Sequence, residues 1–162
     1  MIGRKRIILI DFDHTLFNVY EYLKDENKGI VTPKKFPGYL YKDALEFITY
    51  LKIYGDSYIF SEGDVGFQKF KIEQTGIAGI FKNNLKIYGS YAKMSNAKNE
   101  FWGKDVILID DNPNAIFEAK KIGWKVIRVK RGKNRKEANK ILPDYTVNNL
   151  RSIIKMNLLA KL

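Results

Sequence analysis

Five short, continuous runs of apolar residues constrain the fold of this chain more than any other feature. The runs are residues 6–11, 57–61, 84–88, 106–110 and 125–129. Runs of this length without polar alternation are typical of strands that are buried on both faces of a parallel sheet. The chain is therefore expected to build its core around buried strands.

Stretches with helical character lie between the apolar runs. Asp64 is a suitable N-cap for a helix that ends near Gln74, and Asn112 followed by Pro113 is typical of a first helical turn. Helices are also predicted over residues 43–54, 113–123 and 150–159. Strands that alternate with helices predict an α/β fold with a mostly parallel central sheet of about five strands.

Length and composition narrow the classes of protein. The 162 residues fit one domain, residues 1–162. The chain has no cysteine, which excludes disulfides, a thiolate nucleophile and a Cys-ligated metal centre, and its single histidine, His14, excludes a His-rich metal site. No apolar run approaches the roughly 18 residues that span a bilayer, so we expect no membrane association and a cytoplasmic location.

Residues 14–40 depart from the alternation of strands and helices. The segment has no clean period and contains Gly29, Pro33, Pro37 and Gly38. Long irregular segments in compact domains are usually functional or mobile. We expect a flap or short hairpin over the carboxyl end of the sheet, where open α/β sheets bind ligands.

Two aspartates follow the first apolar run. Asp11 and Asp13 flank Phe12, and the alternation of a strand directs both carboxylates to one side. Carboxylates this close repel each other unless a cation lies between them, and oxygen ligands with open positions suit Mg²⁺, which also binds phosphate. One carboxylate can then attack phosphorus while the other transfers the proton. The alternative is a pair of acids in a turn after the strand.

A second acidic pair, Asp110 and Asp111, ends the fourth apolar run. Since parallel strands end at one edge of a sheet, both pairs are expected to converge there. The alternative is helix capping by Asp111 and Asn112, which explains one acid but not two. An unpaired buried charge is costly, so a metal accounts for the pair better.

A serine and a lysine can complete a phosphate site at this edge. Ser61 ends the second apolar run, and Lys93 follows the third. A hydroxyl can donate to a phosphate oxygen, and an ammonium can balance phosphate charge. Strand-end serines are also common in turns, most lysines are solvated, and Lys98 and Lys104 compete for the role of Lys93.

The order of these residues resembles the four-motif pattern of the haloacid dehalogenase superfamily. The matching elements are Asp11-x-Asp13-x-Thr15, Ser61 after an apolar strand, a lysine, and Asp110-Asp111. The resemblance spans residues 6–129 and implies a three-layer Rossmann-like fold. Because the family's dehalogenases lack a carboxylate at the position of Asp13, the resemblance implies a Mg²⁺-dependent phosphohydrolase that forms a phosphoaspartate.

The resemblance also implies roles for the carboxylates. Asp11 would be the nucleophile, and Asp13 would be the general acid and base. Asp111 would bind Mg²⁺ together with Asp11 and the carbonyl of Asp13, and Asp110 would complete and support this metal site.

The phosphate-binding residues follow from the same resemblance. Ser61 would bind the phosphoryl group, Lys93 would balance its charge, and Thr15 would help to fix the loop that carries the first motif.

The resemblance predicts a member without a large cap domain. The first usual insertion point holds only residues 14–40, and the second, between Ser61 and Lys93, is filled by a helix and a strand. Relatives without a cap tend to act on large phosphorylated substrates or to recruit neighbouring subunits as lids.

Positive charge is concentrated in residues 120–140. This segment contributes +9 of the formal net charge of +11, from ten Lys and Arg residues and one acid, Glu137. Such a segment can bind a polyanion such as nucleic acid, or it can form a solvated surface.

Aromatic residues are also unevenly distributed, because 12 of the 22 lie between Phe12 and Phe60. They can stack on nucleic-acid bases or simply pack the flap onto its domain. Three functions are therefore weighed: a phosphatase, a nucleic-acid end phosphatase, and a non-catalytic polyanion-binding module on the same fold.

Overall fold

The computed structural model describes residues 6–162, which form a central sheet of six parallel strands. The strands follow the order β3-β2-β1-β4-β5-β6 across the sheet. Their bounds are β1 Ile7–Ile10, β2 Asp56–Glu62, β3 Leu85–Tyr88, β4 Val106–Asp110, β5 Lys125–Val129 and β6 Tyr145–Val147. The first strand lies between β2 and β4, so its carboxyl end is near the middle of the side of the sheet at which all six strands end. We call this side the sheet edge.

Within residues 6–162, seven α-helices connect or flank the strands. They are α1 Val19–Asn27, α2 Ala44–Leu51, α3 Val65–Gln74, α4 Lys93–Glu100, α5 Pro113–Lys121, α6 Leu150–Lys155 and α7 Leu158–Lys161. The predicted caps are confirmed, because the side chain of Asp64 accepts a hydrogen bond from the Phe67 N–H and that of Asn112 from the Asn114 N–H. The α/β fold predicted from the alternating pattern is confirmed.

The central strands β1 and β4 are buried on both faces, and each face of the sheet has its own apolar cluster. Ile8 and Ile10 of β1 face one cluster with α2, α3 and α6, whereas Leu9 faces a second cluster with α4 and α5. Apolar residues are needed on both faces of the central strands β1 and β4, because helices cover both faces there.

Three details differ from the sequence prediction. The sheet has six strands rather than about five, since β6 has only three residues and no apolar run that marks it. Helix α4 was not predicted, because its sequence is largely polar. The last predicted helix is two short helices, α6 and α7, which are separated at Asn157, a residue with a left-handed φ of 48°.

Residues 14–40 are more regular than their sequence suggests. They contain α1 and a 3-10 helix, Pro33–Tyr39. The rings of Phe17, Tyr22, Phe36 and Tyr39 pack against one another with centroids 5.7–6.4 Å apart. The same four rings belong to the apolar cluster that includes β1, α2 and α3, so most aromatic residues of this segment pack the flap onto its domain. Over residues 6–162, neither insertion point holds a cap domain.

None of the helices in residues 6–162 has the length and apolar character that a bilayer crossing requires.

A buried arginine ties the loop after β1 to the rest of the fold. The Arg131 guanidinium donates to both oxygens of Asp43, at 2.9 and 3.2 Å, and to the carbonyl of Thr15. It also stacks on the Tyr41 ring, 3.9 Å from the ring centroid. Asp43 accepts a further hydrogen bond from the backbone N–H of Leu150. Arg131 thus joins the end of β5 to the first turns of α2 and α6.

Removing one partner of this pair should strongly destabilise the protein. We expect Arg131→Met to lower the free energy of unfolding by about 3–5 kcal/mol, because Asp43 would keep a buried, uncompensated charge. The exposed pair between Arg151 and Glu46 is the matched control, and Glu46→Gln should cost less than about 1 kcal/mol. Urea unfolding of both variants measures the difference, and similar decreases would contradict a structural role for Arg131.

Candidate functional site

Strand register brings the predicted carboxylates to one level of the sheet edge. Ile10 of β1 pairs with Ile59 of β2 on one side and with Ile109 of β4 on the other. Asp11 directly follows Ile10, and Asp110 directly follows Ile109. The Asp11 N–H donates to the Ile109 carbonyl at 2.9 Å. Residues that are about 100 positions apart in sequence thereby become neighbours.

Three of the four predicted aspartates form a buried cluster. One carboxylate oxygen from each of Asp11, Asp110 and Asp111 lies within 4.8 Å of the other two. Their exposed fractions are 7%, 0% and 3%. A group of buried carboxylate oxygens at this spacing can hold a metal ion.

The Lys93 ammonium lies between two of these carboxylates. It donates to Asp11 Oδ1 at 2.8 Å and to Asp110 Oδ2 at 2.7 Å. The other oxygen of Asp110 accepts from the Asn112 N–H. Lys98 and Lys104 line a separate cavity next to Trp102 and Trp124, so of the three candidate lysines the structure brings only Lys93 to the aspartates.

Three buried carboxylates share one ammonium, that of Lys93, and the pKa values of two of them are raised. Burial raises the pKa of Asp11 to about 7, with a further contribution from Asp110, although Lys93 opposes the shift. Burial also raises the pKa of Asp111 to about 9, and the charges of Asp11 and Asp110 add to the effect. Burial by itself lowers the pKa of Lys93, but the two adjacent carboxylates outweigh it, and this pKa lies above its usual value.

A cavity of about 120 Å³ opens onto the aspartate cluster. Among the residues that line it are Asp13, Ser61 and Lys93, so the predicted phosphate-binding serine and lysine are beside the carboxylates. Thr15 is not among the lining residues. Its side-chain hydroxyl is buried without a hydrogen-bond partner in residues 6–162, and its carbonyl accepts from Arg131.

Asp13 lies at the same cavity but outside the aspartate cluster. Its two carboxylate oxygens accept hydrogen bonds from the Lys71 ammonium at 2.7 and 2.9 Å. The side chain of Gln68 donates to Asp13 Oδ2 at 2.8 Å, and its nitrogen also lies 3.1 Å from Ser61 Oγ. One face of α3 therefore orients two residues of the predicted site.

Lys71 is itself a buried cation, with an exposed fraction of 5%. Its ammonium lies 5.2–5.6 Å from the ring centroids of Phe12, Phe17 and Phe67. Cation–π contacts of this kind and the ion pair with Asp13 together compensate for the loss of hydration.

His14 joins the motif loop to the basic loop after β5. It has a left-handed φ of 63°, and its N–H donates to the Phe17 carbonyl at 2.8 Å. Gly132 lies directly against it, because a Cβ at that position would collide with the His14 side chain. The next two residues, Lys133 and Asn134, line the cavity, and Asn134 Nδ2 donates to Asp111 Oδ2 at 2.8 Å.

The basic segment 120–140 divides into buried and exposed cations. Arg128 is fully buried and donates to the Asn134 carbonyl at 2.9 Å, and Arg131 is buried against Asp43. Lys120 pairs with Asp144 at 3.1 Å. Part of the charge concentration in the sequence is therefore structural, and only the remaining cations are accessible to a partner.

Sequence reasoning missed Gln68, Lys71 and Asn134. The first two lie one and two turns after the Asp64 cap, so the predicted helix allowed a shared face but did not indicate what it contacts. Asn134 ends a short 3-10 helix, Gly132–Asn134, and its carbonyl accepts a hydrogen bond from the buried Arg128. None of these residues belongs to a pattern that is visible without the fold.

Solved structures provide the comparison with known proteins, since no protein-family model and no curated protein sequence matches the chain. A protein described as a haloacid dehalogenase-like hydrolase, from Burkholderia xenovorans LB400, superposes with a TM-score of 0.81 at 18% identity, over 99% of this chain and 100% of that chain. The chain has the haloacid dehalogenase-like fold. The fold class expected from the four motifs is thereby confirmed.

Two further structures show how widely proteins with this fold differ. The HAD-hydrolase YfnB from Bacillus subtilis, whose structure is bound to magnesium, gives a TM-score of 0.67 at 14% identity, over 95% of this chain and 99% of that chain. L-2-haloacid dehalogenase from Xanthobacter autotrophicus gives a TM-score of 0.64 at 13% identity, over 94% of this chain and 98% of that chain. The fold by itself therefore leaves the reaction to be argued from the residues of the site.

A divalent cation should stabilise the protein in a pH-dependent way. Without a cation, stability should fall as pH rises from about 4 towards 9, since the folded chain retains protons on Asp11 (pKa about 7) and Asp111 (pKa about 9) that the unfolded chain has released. Protons compete with a cation for these carboxylates, so Mg²⁺ should raise the melting temperature more at pH 8 than at pH 5.5.

Thermal unfolding with and without Mg²⁺ measures both effects. Asp111→Asn should remove most of the cation-dependent shift, whereas Glu118→Gln, which changes an exposed acid on α5, should retain it. An equal shift in both variants would contradict a metal site at the aspartate cluster.

Proposed function

We propose that this chain is a Mg²⁺-dependent phosphohydrolase that cleaves phosphate monoesters through a phosphoaspartate on Asp11. The observation that carries the proposal is the joint position of Asp11 and Asp13 at one cavity of about 120 Å³ with Ser61 and Lys93. A cavity of this size suits a phosphoryl group rather than a whole organic substrate.

The aspartate cluster fits a magnesium ion. Asp11, Asp110 and Asp111 offer buried carboxylate oxygens, and the single ammonium of Lys93 leaves their negative charge only partly balanced. Oxygen ligands of this type suit Mg²⁺, which usually keeps part of its water shell and binds substrate phosphate. When bound, the ion neutralises the charge of a phosphate that would otherwise be repelled by the aspartates.

In the first step, an oxygen of Asp11 attacks phosphorus. A bond forms between this oxygen and phosphorus, the ester P–O bond breaks, and Asp13 gives the leaving oxygen the proton that it took from water in the preceding turnover. In the second step, water attacks the phosphoryl group on Asp11 and gives a proton to Asp13. The P–O bond to Asp11 then breaks, and the carboxylate is restored as inorganic phosphate leaves.

The other residues of the cavity hold the transferred group. Lys93 can balance the charge on the phosphoryl oxygens while it keeps Asp11 in place. The Ser61 hydroxyl can donate a hydrogen bond to one phosphoryl oxygen. Gln68 and Lys71 act on Asp13 from α3 and are positioning residues. Their contacts direct the Asp13 carboxylate towards the cavity.

Asp13 favours phosphoryl transfer over carbon–halogen chemistry. A dehalogenase needs a nucleophilic carboxylate but no second carboxylate that serves a leaving oxygen. In this chain, Asp13 is retained at the cavity by contacts from Gln68 and Lys71, at 2.7–2.9 Å. A non-catalytic module on the same fold would have no use for so specific an arrangement.

Replacement of the two aspartates should separate their roles. Asp11→Asn should abolish release of phosphate from p-nitrophenyl phosphate with Mg²⁺, because an amide does not attack phosphorus. Asp13→Asn should slow turnover by about 10²–10⁴-fold, the usual effect of removing a general acid and base. It should also prolong the life of the phosphorylated enzyme, which mass spectrometry of acid-quenched samples can locate on Asp11.

Three results would overturn the proposed reaction. These are full activity of Asp11→Asn, full activity of the parent in excess chelator, and release of chloride from a 2-chloroacid by a protein that releases no phosphate.

Replacement of Lys71 should impair catalysis more than substrate binding. We expect Lys71→Met to lower kcat by roughly 10–100-fold with little change in KM, since a misdirected Asp13 cannot reach the leaving oxygen. Lys69→Met is the matched control, because Lys69 lies on the same helix with its side chain 61% exposed. Steady-state kinetics on folded protein, verified by circular dichroism, would refute the positioning role if both variants kept the parent's kcat.

A further inference from the structure

A long basic groove begins beside the catalytic cavity. It consists of two adjoining cavities of about 660 and 420 Å³, which share Asn18, Glu21, Tyr41 and Arg131. We call this surface the basic groove. Its smaller part includes Tyr20 and Gly132, and both contact His14, which lines the catalytic cavity. The groove and the cavity therefore meet at His14.

The groove is much larger than the group that the catalytic cavity can hold. The catalytic cavity has a volume of about 120 Å³ and its lining is dominated by charged and polar residues, so it suits a terminal phosphoryl group. Whatever is esterified to that group must extend outward. The adjoining groove offers the space for several units of an extended substrate.

The net positive charge of the groove favours a polyanion as its ligand. Six basic side chains line it against two acidic ones. Arg131 is neutralised by Asp43, and Arg151 pairs with Glu46. Four cations of the groove make no ion pair within residues 6–162, namely Lys42, Lys130, Arg135 and Lys155. Four unpaired cations on one groove suit a ligand that carries several phosphates, such as a nucleic-acid backbone.

An exposed aromatic ring lies at the junction of the basic groove and the catalytic cavity. Tyr20 is 54% exposed, unlike the other flap aromatics, which are buried. Its ring lies 5.2 Å from the His14 ring, at the junction of groove and cavity. Bases stack on such rings regardless of sequence, and an unpaired base is accessible for stacking.

We infer that the basic groove binds a single-stranded oligonucleotide whose terminal phosphate enters the catalytic cavity. This inference rests on the proposed phosphohydrolase function and assigns its substrate class. The groove positions the strand through its phosphates, so recognition should be independent of sequence. Tyr20 stacks on the base next to the terminal phosphate.

The test compares two fourfold variants that remove equal charge. The groove variant carries Lys42→Gln, Lys130→Gln, Arg135→Gln and Lys155→Gln. The control variant carries Lys82→Gln, Lys98→Gln, Lys104→Gln and Lys125→Gln, which change exposed lysines away from the groove. Lys133 is left unchanged in both variants because it lines the catalytic cavity.

Binding is measured by fluorescence anisotropy with a labelled single-stranded dodecamer that lacks a terminal phosphate. The groove variant should bind at least about tenfold more weakly, and its log–log salt slope should fall by about 0.7 for each backbone phosphate that the variant no longer neutralises. The control variant should bind like the parent. Turnover of p-nitrophenyl phosphate should be unchanged in both, whereas kcat/KM for a terminally phosphorylated dodecamer should fall only in the groove variant.

Tyr20 distinguishes nucleic acid from other polyanions. Tyr20→Ala should weaken binding of the dodecamer but not of inorganic polyphosphate, which has no bases. Trp102→Ala, at a ring that is 76% exposed and remote from the groove, is the control. Equal effects on both ligands, or an acidic phosphopeptide that competes as well as an oligonucleotide of equal charge, would overturn the assignment to nucleic acid.

Failure of the groove and failure of the proposed reaction give different results. If small esters are cleaved but the groove and control variants bind the dodecamer equally, the groove inference is wrong. If only the groove variant loses affinity for the dodecamer but no phosphate is released from any ester with Mg²⁺, the proposed reaction and the substrate assignment are both wrong. The groove would then still be a binding surface for the oligonucleotide.

Discussion

Like charges concentrated at one sheet edge are the constraint that the rest of the site depends on. The parallel register of β1 and β4 forces Asp11, Asp110 and Asp111 together in a buried position, where each charge is costly. Lys93 compensates only part of this charge. Burial and the neighbouring carboxylates raise the pKa values of Asp11 and Asp111, and the three carboxylates together could bind a metal ion.

Buried cations organise the loops around this edge. Arg131 holds the loop that follows β1 against α2 and α6, and Lys71 holds Asp13 against α3. Both cations lose hydration on burial, so each needs its carboxylate partner and aromatic contacts. The basic character of the chain therefore has two physical origins. Some cations stabilise the fold from inside, whereas others create a positive surface along the basic groove.

The fold and the acidic part of the site were predictable because they depend on local patterns. Continuous apolar runs identified five of the six strands, and each predicted acid lies at or just after the end of such a run. Parallel strands share an edge, so the convergence of Asp11 and Asp110 followed from topology alone. The two identified helix caps, at Asp64 and Asn112, were equally local, since a capping side chain contacts a backbone only two or three residues away.

The sequence by itself determined the α/β fold, the sheet edge and the aspartates that meet there, because continuous apolar runs and the acids that follow them are local patterns of the sequence. The sequence favoured Lys93 but left Lys98 and Lys104 as competitors, since all three are lysines in one stretch of chain, and the tertiary structure decided for Lys93. It also decided that Gln68 and Lys71 contact Asp13, and that Arg131 is internal while Arg135 is exposed. These outcomes depend on which side chains the packing of distant elements buries, and no local pattern carries that information.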